Sequence, residues 1–320
     1  MIAPSASEPD RSRQQRRGFA AALAAYVTWG LFPLYFKAIK AVPPLEILAH
    51  RVVWSMALLA VIVTRQRRWR ELGAVFTGGR LRVYVLSTTL ISANWLLYIW
   101  AVNTGHVLEA SLGYFVNPLV NVLLGVLFLR ERLSRGQGLA VGLAGIGVLA
   151  LAVRLGTFPW LSIALAATFG FYGLVRKKAG IDAIVGLLVE TALLAPLALL
   201  FLGAVAARGQ GAFVASGART TILLASAGVV TAVPLIWFAV GMRALRLSTM
   251  GLIQYITPTG QFLLAVALYR ERFTSAHALA FGCIWASLAL YTYDVLRSSR
   301  PPALSPLRGA REMRSEARSE

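Results

Sequence analysis

Cysteine and histidine are scarce, one and three in 320 residues, and acidic residues number only 13. A single thiol, Cys283, excludes an internal disulfide. His50, His106 and His277 stand far apart, without metal-ligand spacing, so no metal site is expected. No nucleophile, base and orienting acid can be grouped, and no enzyme chemistry is expected. The run GLAGIG at 142–147 has its glycines in the wrong pattern for a dinucleotide loop. It lies inside an apolar stretch, where helix packing accounts for it, and no cofactor is expected. Charge is scarce too, at 14% of residues against about 25% in soluble globular proteins.

What the chain has is apolar surface. Hydrophobic residues make up 58% and the mean hydropathy is +0.67. Such a composition needs a bilayer as solvent, and a spanning helix takes roughly 20 mostly apolar residues. Ten windows qualify: 18–37, 45–64, 81–102, 107–129, 137–153, 159–176, 183–203, 219–242, 247–269 and 275–296, the fifth and sixth being short. An all-α integral membrane protein is the fold class expected.

The net charge of +19 does not point to nucleic acid. Its lysines and arginines sit in short segments between apolar runs, on alternate sides, as the positive-inside rule describes. The N-terminal tail carries Arg11, Arg13, Arg16 and Arg17, and the second connection runs from Arg65 to Arg82. Later clusters are Arg130, Arg132 and Arg135; Arg176, Lys177 and Lys178; Arg243 and Arg246; and the tail from Arg297. Both termini are expected in the cytoplasm. No cleavable leader is expected, and 298–320, polar and rich in Arg, Pro and Ser, reads as a disordered tail.

The chain repeats itself. EASLGYFVNPLVNVLLGVLFLRER at 109–132 aligns without a gap to TMGLIQYITPTGQFLLAVALYRER at 249–272, an offset of 140. The shared proline and the shared Arg-Glu-Arg carry the match. ALAAYVTWG (22–30) echoes ALAATFGFYG (164–173) more weakly. The units expected are a basic tail at 1–17, a first five-helix repeat at 18–155 and a second at 156–297. Because five is odd, the halves must run in opposite senses through the membrane. This is the inverted repeat of secondary transporters, whose solute site lies near the midplane. It also accounts for Arg270 and Arg272, which break the charge rule as counterparts of Arg130 and Arg132.

Polar side chains inside spans are costly and normally face an interior cavity. Tyr114, Asn117 and Asn121 recur at i, i+3, i+7 on one helical face. Gln254, Thr257 and Gln261 repeat that spacing 140 residues on. Pro118 and Pro258 each free a backbone carbonyl one turn earlier, so both are helix-bending candidates. Asn94 and Tyr98 share a face, with Trp95 beside them well inside its span. Glu46 and His50 lie on one face with Arg51 adjacent, and Glu190 is the nearest counterpart of Arg51 in the second half. Glu190–Arg51 and Glu46–Arg51 are the candidate ion pairs. Glu46, His50 and Glu190 are the candidate proton carriers. Interhelical hydrogen bonding offers a plainer use for the stripes. A scaffold or sensor without transport is the competing class, and no pattern sets an oligomeric state.

Five segments carry a family resemblance: EILAHRVVWS (46–55), NWLLYIWAVN (94–103), EASLGYFVNPLVN (109–121), FYGLVRKK (171–178) and LRLSTMGLIQYITPT (245–259). With these the chain resembles the EamA group of drug/metabolite transporters, RarD type, over about 18–297. The resemblance implies ten helices in two inverted halves, cytoplasmic termini, and secondary transport of a small metabolite or drug across the bacterial inner membrane. The type carries a name linked to chloramphenicol sensitivity. The family often places Gly before the Glu that closes the fourth and ninth helices; this chain has Arg130 and Arg270 there.

Overall fold

The computed structural model describes residues 8–77, 80–129, 134–155, 158–179, 182–213, 215–245 and 253–298. Arg130, Arg132, Arg246, the stretch 249–252 and nearly all of the expected tail 298–320 fall outside them. The described residues are helical, with no strand among them. In order they form α1 (Glu8–Gly30), α2 (Phe32–Ala38), α3 (Pro44–Arg65), α4 (Trp69–Thr77), α5 (Leu81–Thr104) and α6 (Val107–Leu129). Then come α7 (Arg135–Leu155), α8 (Trp160–Ala179), α9 (Ala183–Ala207), α10 (Ala218–Ala244), α11 (Ile256–Leu263) and α12 (Ser275–Ser298).

Local chemistry sets these boundaries. α3 opens on Pro44, whose fixed φ suits a first helical position. α5 stops at Gly105, which takes φ +84° so that the His106 N–H can reach the Ala101 carbonyl at 2.7 Å. α9 is capped by Asp182, whose carboxylate accepts from the N–H groups of Ile184 and Val185 at 3.0 and 3.1 Å. α1 starts at Glu8, so the basic stretch around Arg16 and Arg17 continues a helix.

Among the described residues, seven helices are long and apolar enough to cross a membrane: Gln14–Ala38, Pro44–Arg65, Leu81–Thr104, Arg135–Arg154, Ile184–Ala207, Ala218–Gly241 and Ser275–Asp294. The fourth expected window is a bent pair, Val107–Asn117 and Leu119–Phe128, meeting at 40° across Pro118. Two further apolar helices, Trp160–Arg176 and Ile256–Leu268, are shorter. Large apolar side chains stand exposed along these helices, among them Val153, Leu197, Leu200 and Ile222. Such a band suits lipid rather than water, and the chain is a multi-pass membrane protein.

The two prolines of the repeat stand differently in their helices. Pro118 lies mid-helix at the bend, whereas Pro258 lies in the first turn of α11, just after a turn at Tyr255. A missing N–H costs little there, because that donor has no intrahelical partner anyway. α11 ends in a π-helical turn over Leu264–Leu268, where the Tyr269 N–H reaches the Leu264 carbonyl. Arg270 follows with φ +53°. This left-handed conformation burdens any residue with a Cβ and suits glycine. Arg270→Gly is therefore expected to raise stability by about 0.5–1 kcal/mol. A rise in unfolding temperature in detergent would show it; a fall would mean that the arginine side chain contributes more than its backbone costs.

The helices pack in pairs: α7 with α12, α1 with α10 and α11, α8 with α5 and α6, α3 with α9 and α10, and α6 with α11. Small residues allow the close crossings. A Cβ on Gly228 of α10 would stand 2.4 Å from the Trp54 carbonyl oxygen of α3.

Candidate functional site

A cavity of about 800 Å³ opens inside the bundle. α5 contributes Asn94, Trp95 and Tyr98 to its wall, and α6 contributes Tyr114, Asn117 and Asn121. Thr257, Pro258 and Gln261 come from α11, with Gln254 just ahead of it. The structure thus brings to one cavity all nine side chains that the sequence marked for one. Arg51, Thr231, an aromatic group of Tyr26, Trp29 and Phe238, and, on α8 and just before α9, Tyr172, Arg176 and Asp182 also line it, and apolar side chains such as Ile91, Leu124 and Phe169 fill in the rest.

These polar groups differ in what holds them. Asn94 donates to the Leu165 carbonyl and to Thr168 Oγ1, both at 3.0 Å, and so ties α5 to α8. Thr257 Oγ1 donates to the Tyr26 carbonyl at 2.8 Å, and Gln261 Nε2 to the Trp29 carbonyl at 3.2 Å. Both tie α11 to α1. Ser111 Oγ donates to the Pro258 carbonyl and ties α6 to α11. Asn117 is wholly buried, yet neither of its amide atoms has a partner among the described residues. The same holds for the Tyr98 hydroxyl and for Gln261 Oε1. Tyr98 and Tyr114 meet edge to face at 5.6 Å.

The charged residues correct the sequence reading. Arg51 pairs with neither Glu190 nor Glu46. Its Nε donates to Thr231 Oγ1 at 2.7 Å, and its guanidinium carbon lies 4.1 Å from the centre of the Trp95 ring. Phe32 and Phe36 stand at 5.9 Å on other sides. Glu190 is engaged elsewhere: it accepts from Ser87 at 2.9 Å and Tyr172 at 3.1 Å, and it pairs with Arg176 at 3.4 Å. Arg176 also donates to the Tyr172 hydroxyl and to the Asp182 carbonyl. Glu46 accepts the Ala212 N–H at 2.7 Å in the loop before α10, and His50 stacks on Phe213 at 4.8 Å. Neither lines the cavity, and Glu190 stands behind Arg176 and Tyr172. Arg176 had been counted only as a loop charge. Its i, i+4 spacing from Tyr172 at the end of an apolar run was the signal that could have found it.

Two carboxyls outside the spans shape the rims. Burial alone would raise the Asp182 carboxyl, but the Val185 and Ile184 N–H groups and Arg68, at 3.1 Å, hold it below the usual carboxylate range. Glu271, in the loop before α12, accepts from the N–H groups of Val107 and Leu108 at 3.0 and 2.8 Å and so caps α6. Burial nonetheless pushes its carboxyl up. Among the described residues no His, Cys, Asp and Glu gather to hold a metal.

The described residues form a helical membrane protein whose interior cavity is largely apolar and set with a few polar groups. The EamA-like transporter family matches residues 16–153. A transporter of Vibrio cholerae serotype O1, described as uncharacterized, is 46% identical over 291 residues, or 91% of this chain and 96% of that one. The RarD protein of Escherichia coli K12 is 45% identical, with 90% and 98% covered. A chloramphenicol-sensitive protein RarD of Pseudomonas aeruginosa is 32% identical, with 90% and 97% covered. A crystal structure of another protein superposes with a TM-score of 0.56 at 20% identity over 89% of this chain and 99% of that one, a likeness of fold. The chain belongs to the EamA-like transporter family, RarD type, and is not an enzyme.

Proposed function

We propose that the protein is a secondary transporter of the bacterial inner membrane that moves a small amphipathic solute by alternating access. The observation that carries this reading is the cavity, whose wall is built from both halves of the chain at positions 140 residues apart: Tyr114 with Gln254, Asn117 with Thr257, and Asn121 with Gln261. The relatives named as transporters support it.

The arrangement that goes with this reading is ten spans in two inverted repeats, with both termini cytoplasmic. Among the described residues seven helices are long enough to span and the bent pair makes an eighth; this reading takes the two shorter apolar helices as the remaining two. The packing also fits a two-fold exchange. Swapping the first five spans for the last five turns the α1–α10 pair into α8–α5, and α1–α11 into α8–α6, while α3–α9, α6–α11 and α7–α12 map onto themselves. In this frame Arg51 and Glu190 each lie seven residues from the start of their helices, about 10 Å in from opposite faces. Equivalent residues away from the midplane stand at different depths in an inverted pair, and on this reading that keeps these two apart.

Solute uptake into proteoliposomes tests the reading. Asn117→Leu combined with Thr257→Val is expected to abolish uptake while the protein stays folded in detergent. Unchanged uptake by the folded double variant would remove the midplane site, and no uptake by the folded wild type would leave a scaffold or sensor. Among the candidate proton carriers, Glu190 alone touches residues of the cavity wall. Proton coupling through it predicts faster uptake under an imposed pH gradient and no such response in Glu190→Gln. Equal rates with and without the gradient would exclude coupling.

A further inference from the structure

We propose that the cavity selects organic anions, a carboxylate head on an aromatic or alkyl body, with Arg51 as the group that binds the head. This rests on the transport reading and names the chemical class of its solute.

Arg51 is 6% exposed and lies in the cavity wall. A cation at that depth in a membrane protein normally meets a carboxylate, and this one does not. Its Nε–H is taken by Thr231, and its two terminal nitrogens have no acceptor among the described residues. The Trp95 ring at 4.1 Å and the Thr231 hydroxyl fix the guanidinium from one face and one edge. The remaining edge is a planar pair of donors, the geometry that grips a carboxylate with two parallel bonds.

The other charges lining the cavity are already answered. Arg176 faces Glu190, and the Asp182 carboxylate faces Arg68 and the N-terminus of α9. Arg51 therefore leaves the interior with an uncompensated positive charge. An aromatic wall alone would also suit a cationic solute, but this charge repels one. The unpartnered Asn117 amide and Tyr98 hydroxyl line the same cavity and offer a donor and acceptors for polar groups on the body of the solute.

A charge-matched panel tests the assignment on the purified full-length protein. The probes are phenylacetate, indole-3-acetate and octanoate, each with its neutral amide and with the amine of the same carbon skeleton. Binding is read by thermal shift and titration calorimetry in detergent, and transport by uptake of labelled probe into proteoliposomes. The wild type is expected to bind at least one carboxylate about ten- to a hundredfold more tightly than its amide. Arg51→Gln is expected to erase that preference, weakening the carboxylate far more than its amide. Arg51→Lys, which keeps the charge and loses the fork, is expected to restore part of it, and serves as the variant of record if Arg51→Gln does not fold. Thr231→Val keeps the charge and loosens its aim, and is expected to weaken carboxylate binding alone. Amides or amines that bind and move as well as carboxylates would overturn the anion assignment and leave the transporter standing. If no probe of any charge binds or moves, the anion assignment falls, and the Asn117 and Thr257 variants then decide the transport reading separately.

Discussion

Replacing Arg176 with methionine is expected to lower stability by about 3 kcal/mol or more, because it leaves a buried carboxylate without its counter-charge. Glu190 is almost fully buried, whereas the Arg176 side chain retains some exposure and has other acceptors in the Tyr172 hydroxyl and the Asp182 carbonyl. The two ends of the pair are therefore unequal. Glu190→Gln leaves an arginine that still has oxygen partners, and its cost should be smaller. Arg176→Met combined with Glu190→Leu removes both charges and is expected to recover much of the loss. Denaturant or thermal unfolding in one detergent, run as a double-variant cycle, gives the coupling. Additive effects of the two single changes would show that the charges do not depend on each other, and the account of this cluster would fail.

The second large effect is expected at a residue with no side chain. Gly228 brings α10 against the backbone of α3 at Trp54, where a single added carbon would stand 2.4 Å from a carbonyl oxygen. The obstacle is backbone, so the helices must move apart, and Gly228→Val is expected to cost about 1–3 kcal/mol or more. The contact has a functional reach as well. Thr231 lies three residues beyond Gly228 on α10, and Arg51 lies three residues before Trp54 on α3. The same crossing therefore sets the 2.7 Å bond between them. Gly228→Ala, if it folds, should lower solute affinity more than a lipid-facing change such as Leu200→Ala of comparable stability. Equal affinity in the two would separate the crossing from the site.

The cavity was legible in the sequence for a simple reason. In an apolar run, polar side chains at i, i+3, i+7 have one place to go, and the 140-residue repeat said so twice. The charge partners were not legible. A sequence repeat marks positions that correspond, not positions that touch, and Arg51 and Glu190 do not meet. Arg176 was hidden because counting basic residues at helix ends treats a buried arginine and a loop arginine alike. The division of labour along the stripes was hidden too. Thr257 and Gln261 spend their donors on carbonyls of a neighbouring helix, and nothing in their spacing distinguishes them from Asn117, which does not.

That last contrast makes the bundle lopsided. In the second half, Thr257 and Gln261 fasten α11 to α1 at Tyr26 and Trp29. Their counterparts in the first half, Asn117 and Asn121, make no such bond to α8 among the described residues. One clasp is shut and its twin is open, although the same chain design lies behind both. On the transport reading proposed above, the exchange of these two clasps, Asn117 closing onto α8 as Thr257 leaves α1, is the step a solute would drive.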